Sequence, residues 1–199
     1  MKKHDLIMVG VGGQGIVLAS DILSDVAMAA GYDVKKTDTL GMAQRGGSVA
    51  SHVRIADRVW SPLMKEGDVD ILVAFEKLEA ARWSYFLNPK GVAIVNNQTT
   101  PPLSVSLGIT KYPPDKEIEA ILKRTANKYH LIDGTRQAKE LGDIRALNML
   151  MLGCVSVLLP IDVKIWQDYM ARRLPSKILN LNMVAFDKGR EEMSRAGVR

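Results

Sequence analysis

The chain has 199 residues, of which 47% are hydrophobic and 25% charged, and its formal net charge is +5. These values are close to those of an average globular protein, so we expect residues 1–199 to form a single domain. The basic residues occur in scattered pairs and aromatic residues make up only 6% of the chain, which argues against a nucleic-acid-binding surface.

The most apolar stretch, "LNMLMLGCVSVLLP" (147–160), is shorter than the ~20 residues that a membrane-spanning helix requires, so it predicts a buried helix. The first residues lack the apolar core and cleavage site of a signal peptide. We therefore expect a cytoplasmic protein with no membrane contact.

Cysteine usage limits the cofactor chemistry of the chain. Cys154 is the only cysteine, so the chain forms no internal disulfide and cannot supply the thiolates of an iron–sulfur cluster or a structural zinc site. Its apolar surroundings predict a buried structural thiol. The three histidines, His4, His52 and His130, lack the spacing of metal ligands. We expect no metal held by this chain alone.

The first forty residues predict a β–α–β unit. Residues 5–10 form an apolar run that ends in glycine and is typical of a buried strand. Residues 16–31 repeat apolar side chains with a helical period, and residues 32–40 are the next strand candidate. This order predicts a crossover to a parallel strand.

The pattern changes after residue 40. The segment "SVASHVRI" (48–55) alternates as a strand does, and "VWSP" (59–62) has the composition of a short return strand. The two segments predict a β-hairpin inserted into an otherwise parallel pattern.

The α/β alternation then resumes, with predicted strands at 69–75, 92–97 and 128–133 and a proline-rich connection at 99–114. Everything after Asp133 is predicted to be helical. The sequence thus predicts an α/β fold: a doubly wound, mostly parallel sheet with an inserted β-hairpin and a helical C-terminal part.

The turn "VGVGGQGIV" carries the spacing G-x-G-x-x-G from Gly10 to Gly15, after a predicted strand and before a predicted helix. This is the context of a dinucleotide-binding turn, and Asp38, at the end of the next strand, is then the candidate ligand of a ribose. The alternative is tight strand–helix packing, with the turn touching a partner chain or an anionic group.

A second glycine-rich stretch, "GMAQRGGSV", spans residues 41–49. Glycines beside Arg45 permit close approach of the backbone to a ligand, while the guanidinium binds a carboxylate or phosphate. The alternative is a flexible loop with one solvated arginine.

Ligands of doubly wound sheets bind at the carboxyl ends of the strands. We therefore expect both glycine loops to line one edge of the sheet, together with five further polar residues: Asp38, Glu76, Asn96, Asn97 and Asp133. The sequence shows no catalytic triad, no histidine-based metal motif and no phosphate-loop lysine, so no catalytic residue is assigned.

Two stretches taken together, "IMVGVGGQGIV" and "GMAQRGGSVASHVRI", resemble the gamma-type domain of the 2-oxoacid:ferredoxin oxidoreductases, in particular the small (beta) subunit of the indolepyruvate type. The segment "SPLMKEGDVDILVAFEKLEAAR" strengthens the likeness, which is close from about Leu6 to Asn97 and looser in the C-terminal helices.

The resemblance implies a Rossmann-like fold that serves no nicotinamide. It implies a complex that decarboxylates a 2-oxoacid, reduces ferredoxin and forms an acyl-CoA, with thiamine diphosphate and [4Fe-4S] clusters on the large subunit. This chain would complete the complex and help to position the co-substrate coenzyme A, without being catalytic alone.

By the same resemblance, the site residues belong to the two glycine loops, which would face the subunit junction or the phosphates of coenzyme A: Gly12, Gly13, Gln14, Gly15, Gln44, Arg45, Gly46, Gly47 and Ser48. The expected partners are the large subunit and, through the complex, ferredoxin; a homodimer is an alternative for the isolated chain. The alternative function is a free-standing module that binds NAD or FAD.

Overall fold

The computed structural model describes residues 3–40 and 46–197. Its centre is a six-stranded sheet with the strand order β2-β3-β1-β4-β5-β6. The strands are β1 His4–Val11, β2 Asp33–Leu40, β3 Ser48–Ala56, β4 Val69–Ala74, β5 Leu87–Asn96 and β6 Lys128–Ile132. The helices are α1 Ile16–Ala29, α2 Lys77–Trp83, α3 Leu103–Ser106, α4 Asp115–Thr125, α5 Gly134–Glu140, α6 Leu147–Ser156, α7 Val163–Arg173 and α8 Ser176–Arg195.

Strand β3 makes the sheet a mixed one. It runs antiparallel to β1, from the pair Val11↔Ser48 to the pair His4↔Ile55, and antiparallel to β2 on its other side. Strands β1, β4, β5 and β6 are parallel. The predicted α/β fold is therefore confirmed, but β3 lies between the two strands of the predicted β–α–β unit.

The predicted return strand at 59–62 is wrong: these residues form no strand, and the hairpin partner of β3 is β2. Side chains bond the backbone there instead. The carboxylate of Asp33 accepts the Val59 N–H at 2.8 Å. The Arg54 guanidinium donates to the carbonyl oxygens of Ser61 and Leu63, at 3.4 and 3.0 Å. Backbone groups bonded in this way do not form a strand ladder.

Both faces of the sheet are covered by helices. In β1, Leu6 and Met8 pack in the larger apolar cluster, with residues of α1, α6, α7 and α8. Ile7 and Val9 pack in the smaller cluster, with residues of α2 and α4. A strand buried on both faces has a continuous apolar sequence, as this one does. Within the described residues, no helix combines the length and apolarity of a membrane span.

Helices α6 and α8 meet at two glycines. A Cβ atom at Gly189 would overlap the carbonyl oxygen of Leu150, and one at Gly153 would overlap that of Phe186. The close approach lets the Cys154 thiol donate to the Gly189 carbonyl at 3.3 Å. Burial raises the pKa of this thiol to about 12. The predicted buried structural thiol is thus confirmed.

We predict that Gly189→Ala destabilises the protein by about 3 kcal/mol, because the added methyl forces two buried helices apart. The measurement is chemical denaturation. Asp187→Ala, at an exposed position of the same helix, is the matched control and should change the free energy of unfolding by less than about 0.5 kcal/mol. Equal stability of the Gly189→Ala variant and the wild type would contradict the glycine contact.

Candidate functional site

The first glycine loop is a tight turn between β1 and α1. Gly13 and Gly15 have φ angles of +101° and +79°, in the left-handed region that favours glycine. A side chain at Gly15 would also collide with the amide of Asn148 at the start of α6. The turn therefore depends on glycine at both positions and brings the N-terminus of α1 against α6.

The side-chain amide of Gln14 closes this turn through hydrogen bonds to the backbone. Its Oε1 accepts the backbone N–H of Val11 at 2.7 Å, and its Nε2 donates to the carbonyl of Phe75 at 3.4 Å. The missing Cβ of Gly10 leaves room for this amide, since a Cβ there would lie 2.6 Å from Oε1. Gln14 thus ties the end of β1 to the end of β4.

The structure brings the two glycine-rich loops together. The N–H of Gly12 donates to the carbonyl of Gly47 at 2.8 Å. The Ser48 hydroxyl donates to the buried carboxylate of Glu79. Gln44 and Arg45 lie outside the described residues. The predicted neighbourhood of the loops is confirmed at Gly12 and Gly47, while the ligand role of the loop residues stays a prediction.

Asp38 lies away from the glycine turn, because β3 separates β2 from β1. Two strand spacings put roughly 10 Å between these strands, compared with about 5 Å for neighbouring strands. Both carboxylate oxygens of Asp38 already accept hydrogen bonds, Oδ1 from Ser51 at 2.6 Å and Oδ2 from Lys36 at 2.9 Å. The geometry does not support Asp38 as the ribose ligand of a bound dinucleotide.

Glu76, predicted at the edge of the sheet, is a buried connector. One carboxylate oxygen accepts the N–H of Glu79 at 2.9 Å and caps α2. The other accepts the Thr100 N–H at 3.1 Å and the Tyr112 hydroxyl at 2.5 Å. Burial and the neighbouring carboxylate raise the pKa of Tyr112, so its hydroxyl keeps its proton and donates.

Asn96, Asn97 and Asp133 also lie at this edge and bond within the chain. The fully buried Asn96 amide donates to the Phe75 carbonyl and to Thr135, at 3.0 and 2.8 Å. Asn97 donates to Asp133 at 2.8 Å. These side chains fix α5 against the ends of the parallel strands.

A cleft of about 430 Å³ opens beside the glycine turn. Gly13, Gln14 and Gly15 form one wall. The rest of the lining includes residues that no sequence pattern predicted as ligands, among them Thr135, Lys139, Ile144, Arg145 and Asn148. One signal was available, because Asn148 is an amide inside an otherwise apolar run of residues.

The cleft combines positive charge with apolar surface. Lys139 makes no ion pair with another described residue. Arg145 pairs with Asp143, and this hydrogen bond lowers the pKa of the Asp143 carboxyl. Leu18 and Ile144 are 56% and 49% exposed at the same cleft. With the N-terminus of the 14-residue helix α1 beside them, these groups fit an anion that carries an apolar part.

Reactive groups do not converge here. Within residues 3–40 and 46–197, no cluster of histidine, cysteine and acidic side chains has the arrangement of a metal site. His52 lies elsewhere, edge-on to the rings of Trp83 and Phe86, and burial lowers its pKa. The cleft has the character of a binding surface.

Solved structures define the class of fold. The chain aligns with a keto/oxoacid ferredoxin oxidoreductase gamma subunit from Geobacter sulfurreducens at a TM-score of 0.71 and 22% identity, covering 96% of this chain and 99% of that one. It also aligns with a 2-oxoglutarate:ferredoxin oxidoreductase from Magnetococcus marinus at a TM-score of 0.76 and 22% identity, covering 98% of this chain but 32% of that longer chain. The fold is thus that of the gamma subunits of oxoacid ferredoxin oxidoreductases.

The chain belongs to the pyruvate ferredoxin/flavodoxin oxidoreductase family, whose model matches residues 5–192. It is 34% identical to the indolepyruvate oxidoreductase subunit IorB of Pyrococcus horikoshii over 95% of both chains. It is 36% identical to the subunit of the same name from Archaeoglobus fulgidus over 94% of both chains. The resemblance to the 2-oxoacid:ferredoxin oxidoreductases is confirmed.

We predict that Gln14→Ala destabilises the protein by about 2 kcal/mol, because it leaves the buried N–H of Val11 without its acceptor. Urea denaturation measures this effect. The matched control is Gln98→Ala, whose amide makes a single exposed hydrogen bond among the described residues, to the adjacent Thr99 carbonyl, and which should cost less than about 0.5 kcal/mol. Equal losses in the two variants would refute the closing role of Gln14.

Proposed function

We propose that this chain is the small subunit of a thiamine diphosphate-dependent indolepyruvate-type 2-oxoacid:ferredoxin oxidoreductase. The complex decarboxylates an aryl 2-oxoacid, transfers the electrons to ferredoxin and transfers the acyl group to coenzyme A. The observation that carries this proposal is the end-to-end match, at 33–36% identity, to relatives named indolepyruvate oxidoreductase subunit IorB.

In this proposal the chain is a single gamma-type domain that works in the cytoplasm and is not catalytic alone. Thiamine diphosphate and the [4Fe-4S] clusters belong to a large partner subunit, in agreement with the single, buried cysteine of this chain. Ferredoxin interacts with the complex as a whole. The free-standing NAD or FAD module is disfavoured by the family and by the position of Asp38.

The contribution of this chain to the reaction is to position coenzyme A. The cleft supplies a cation from Lys139, the N-terminus of α1 and exposed apolar side chains, which match the phosphates and the apolar parts of this co-substrate. Arg45, from the second glycine loop, is proposed as a further phosphate ligand.

Reconstitution tests the subunit assignment. We expect the purified chain to reduce no viologen dye with indolepyruvate and coenzyme A. Addition of the large thiamine- and cluster-binding subunit, expected from a neighbouring reading frame, should produce 2-oxoacid- and coenzyme A-dependent dye reduction. Activity of the chain alone, or no gain in activity of the large subunit on adding it, would refute the assignment. Micromolar binding of NADH or FAD by calorimetry would favour the alternative.

Lys139→Ala and Arg45→Ala test the coenzyme A site. Loss of one cation near a phosphate should raise the KM for coenzyme A about tenfold and leave the KM for the 2-oxoacid unchanged. Lys164→Ala, at an exposed position of α7, is the matched control. If both variants keep the wild-type KM for coenzyme A, the cleft is not its site.

A further inference from the structure

The loop of residues 101–112 leaves three large apolar side chains exposed. Leu103, Leu107 and Ile109 are 71%, 64% and 73% exposed, and they stand within seven residues of one another. Single exposed apolar residues are common on protein surfaces, but a cluster in one short segment marks an interaction site.

The 101–112 loop is held in a defined shape by its own backbone. After the helical turn α3, the N–H groups of Ile109 and Thr110 both donate to the carbonyl of Ser104, at 2.9 and 3.2 Å. The hydroxyl of Thr110 bonds that of Ser104 at 3.0 Å. The apolar side chains are therefore displayed on an ordered turn, although they pack against little of this chain.

The two ends of the loop are bound to one buried carboxylate. A single oxygen of Glu76 accepts the N–H of Thr100 and the hydroxyl of Tyr112, which flank the exposed side chains in sequence. Glu76 is only 1% exposed and is fixed at the end of β4. An ordered apolar surface loses little conformational entropy when a partner binds it, which is how preorganisation raises affinity.

Positive charge beside the loop indicates the charge that the partner surface carries. Lys111 follows the apolar turn at an exposed position. It makes no ion pair with another described residue. The complementary surface is an apolar patch with carboxylates at its rim, since opposite charges at a rim guide association and fix orientation.

We propose that the 101–112 loop is the docking element for the large subunit, which receives Leu103, Leu107 and Ile109 in an apolar patch edged by acidic side chains. The inference rests on the proposed function, which supplies the large subunit as the partner. The choice of partner is supported by the Magnetococcus marinus enzyme, where the matching segment is about a third of a longer chain.

The test is binding of the full chain to the purified large subunit, measured by biolayer interferometry. The triple variant Leu103→Ser, Leu107→Ser, Ile109→Ser should bind at least about 100-fold more weakly, because apolar anchors at the centre of an interface carry most of its affinity. Its melting temperature should stay near that of the wild type, because the three side chains are exposed. Lys111→Glu should weaken binding and reduce its dependence on salt.

The matched control is Met28→Ser with Val184→Ser, two apolar residues that are 52% and 44% exposed on α1 and α8. This variant should bind like the wild type. Binding of the triple variant within threefold of the wild type would overturn the proposal, as would a triple variant that loses only self-association in sedimentation. If the wild-type chain itself does not bind the large subunit, the proposed function fails instead.

Discussion

The antiparallel strand β3 is the constraint on which the geometry of the site depends. By pairing with β1 along its whole length, it returns the second glycine loop to the end of β1, where the Gly47 carbonyl accepts the Gly12 N–H. The same strand displaces β2 outward by one strand spacing, about 5 Å. A dinucleotide site needs β2 next to β1, because its terminal acid must reach the ribose. One inserted strand therefore separates this fold from the nucleotide-binding one.

The carboxyl edge of the sheet is fixed by polar side chains that bond within the chain. Gln14 joins the ends of β1 and β4, and Asn96 joins β5 to α5. Glu76 joins the end of β4 to the 101–112 loop. Buried polar groups that are fully hydrogen-bonded make a region rigid. Catalytic acids and bases, in contrast, need side chains that are free to exchange a proton with the substrate and whose pKa values suit that exchange. The edge is thus a rigid surface suited to holding a ligand or a partner.

Local sequence patterns predicted most of the elements, because buried parallel strands and amphipathic helices carry their periodicity in sequence. They did not predict the place of β3: the alternation of "SVASHVRI" identifies a strand, but strand order depends on contacts distant in sequence. The glycine turn was predictable from its spacing. Lys139 and Arg145 were not, since each is ordinary in its local sequence and reaches the cleft only through the packing of α5 and α6 on the sheet. Asn148 stands out as an amide in an apolar run, but its place beside the glycine turn also depends on that packing.

The helical C-terminal part is needed for the cleft to exist. Asn148 lies at the start of α6, and its side-chain amide packs directly against Gly15. A Cβ atom at Gly15 would overlap this amide. The position of α6 is set in turn by its contact with α8 through Gly153 and Gly189. A shift of α6 by the size of one methyl group would move Asn148 away from the turn and widen the cleft. Two glycines that do not line the cleft therefore determine its shape at the glycine turn.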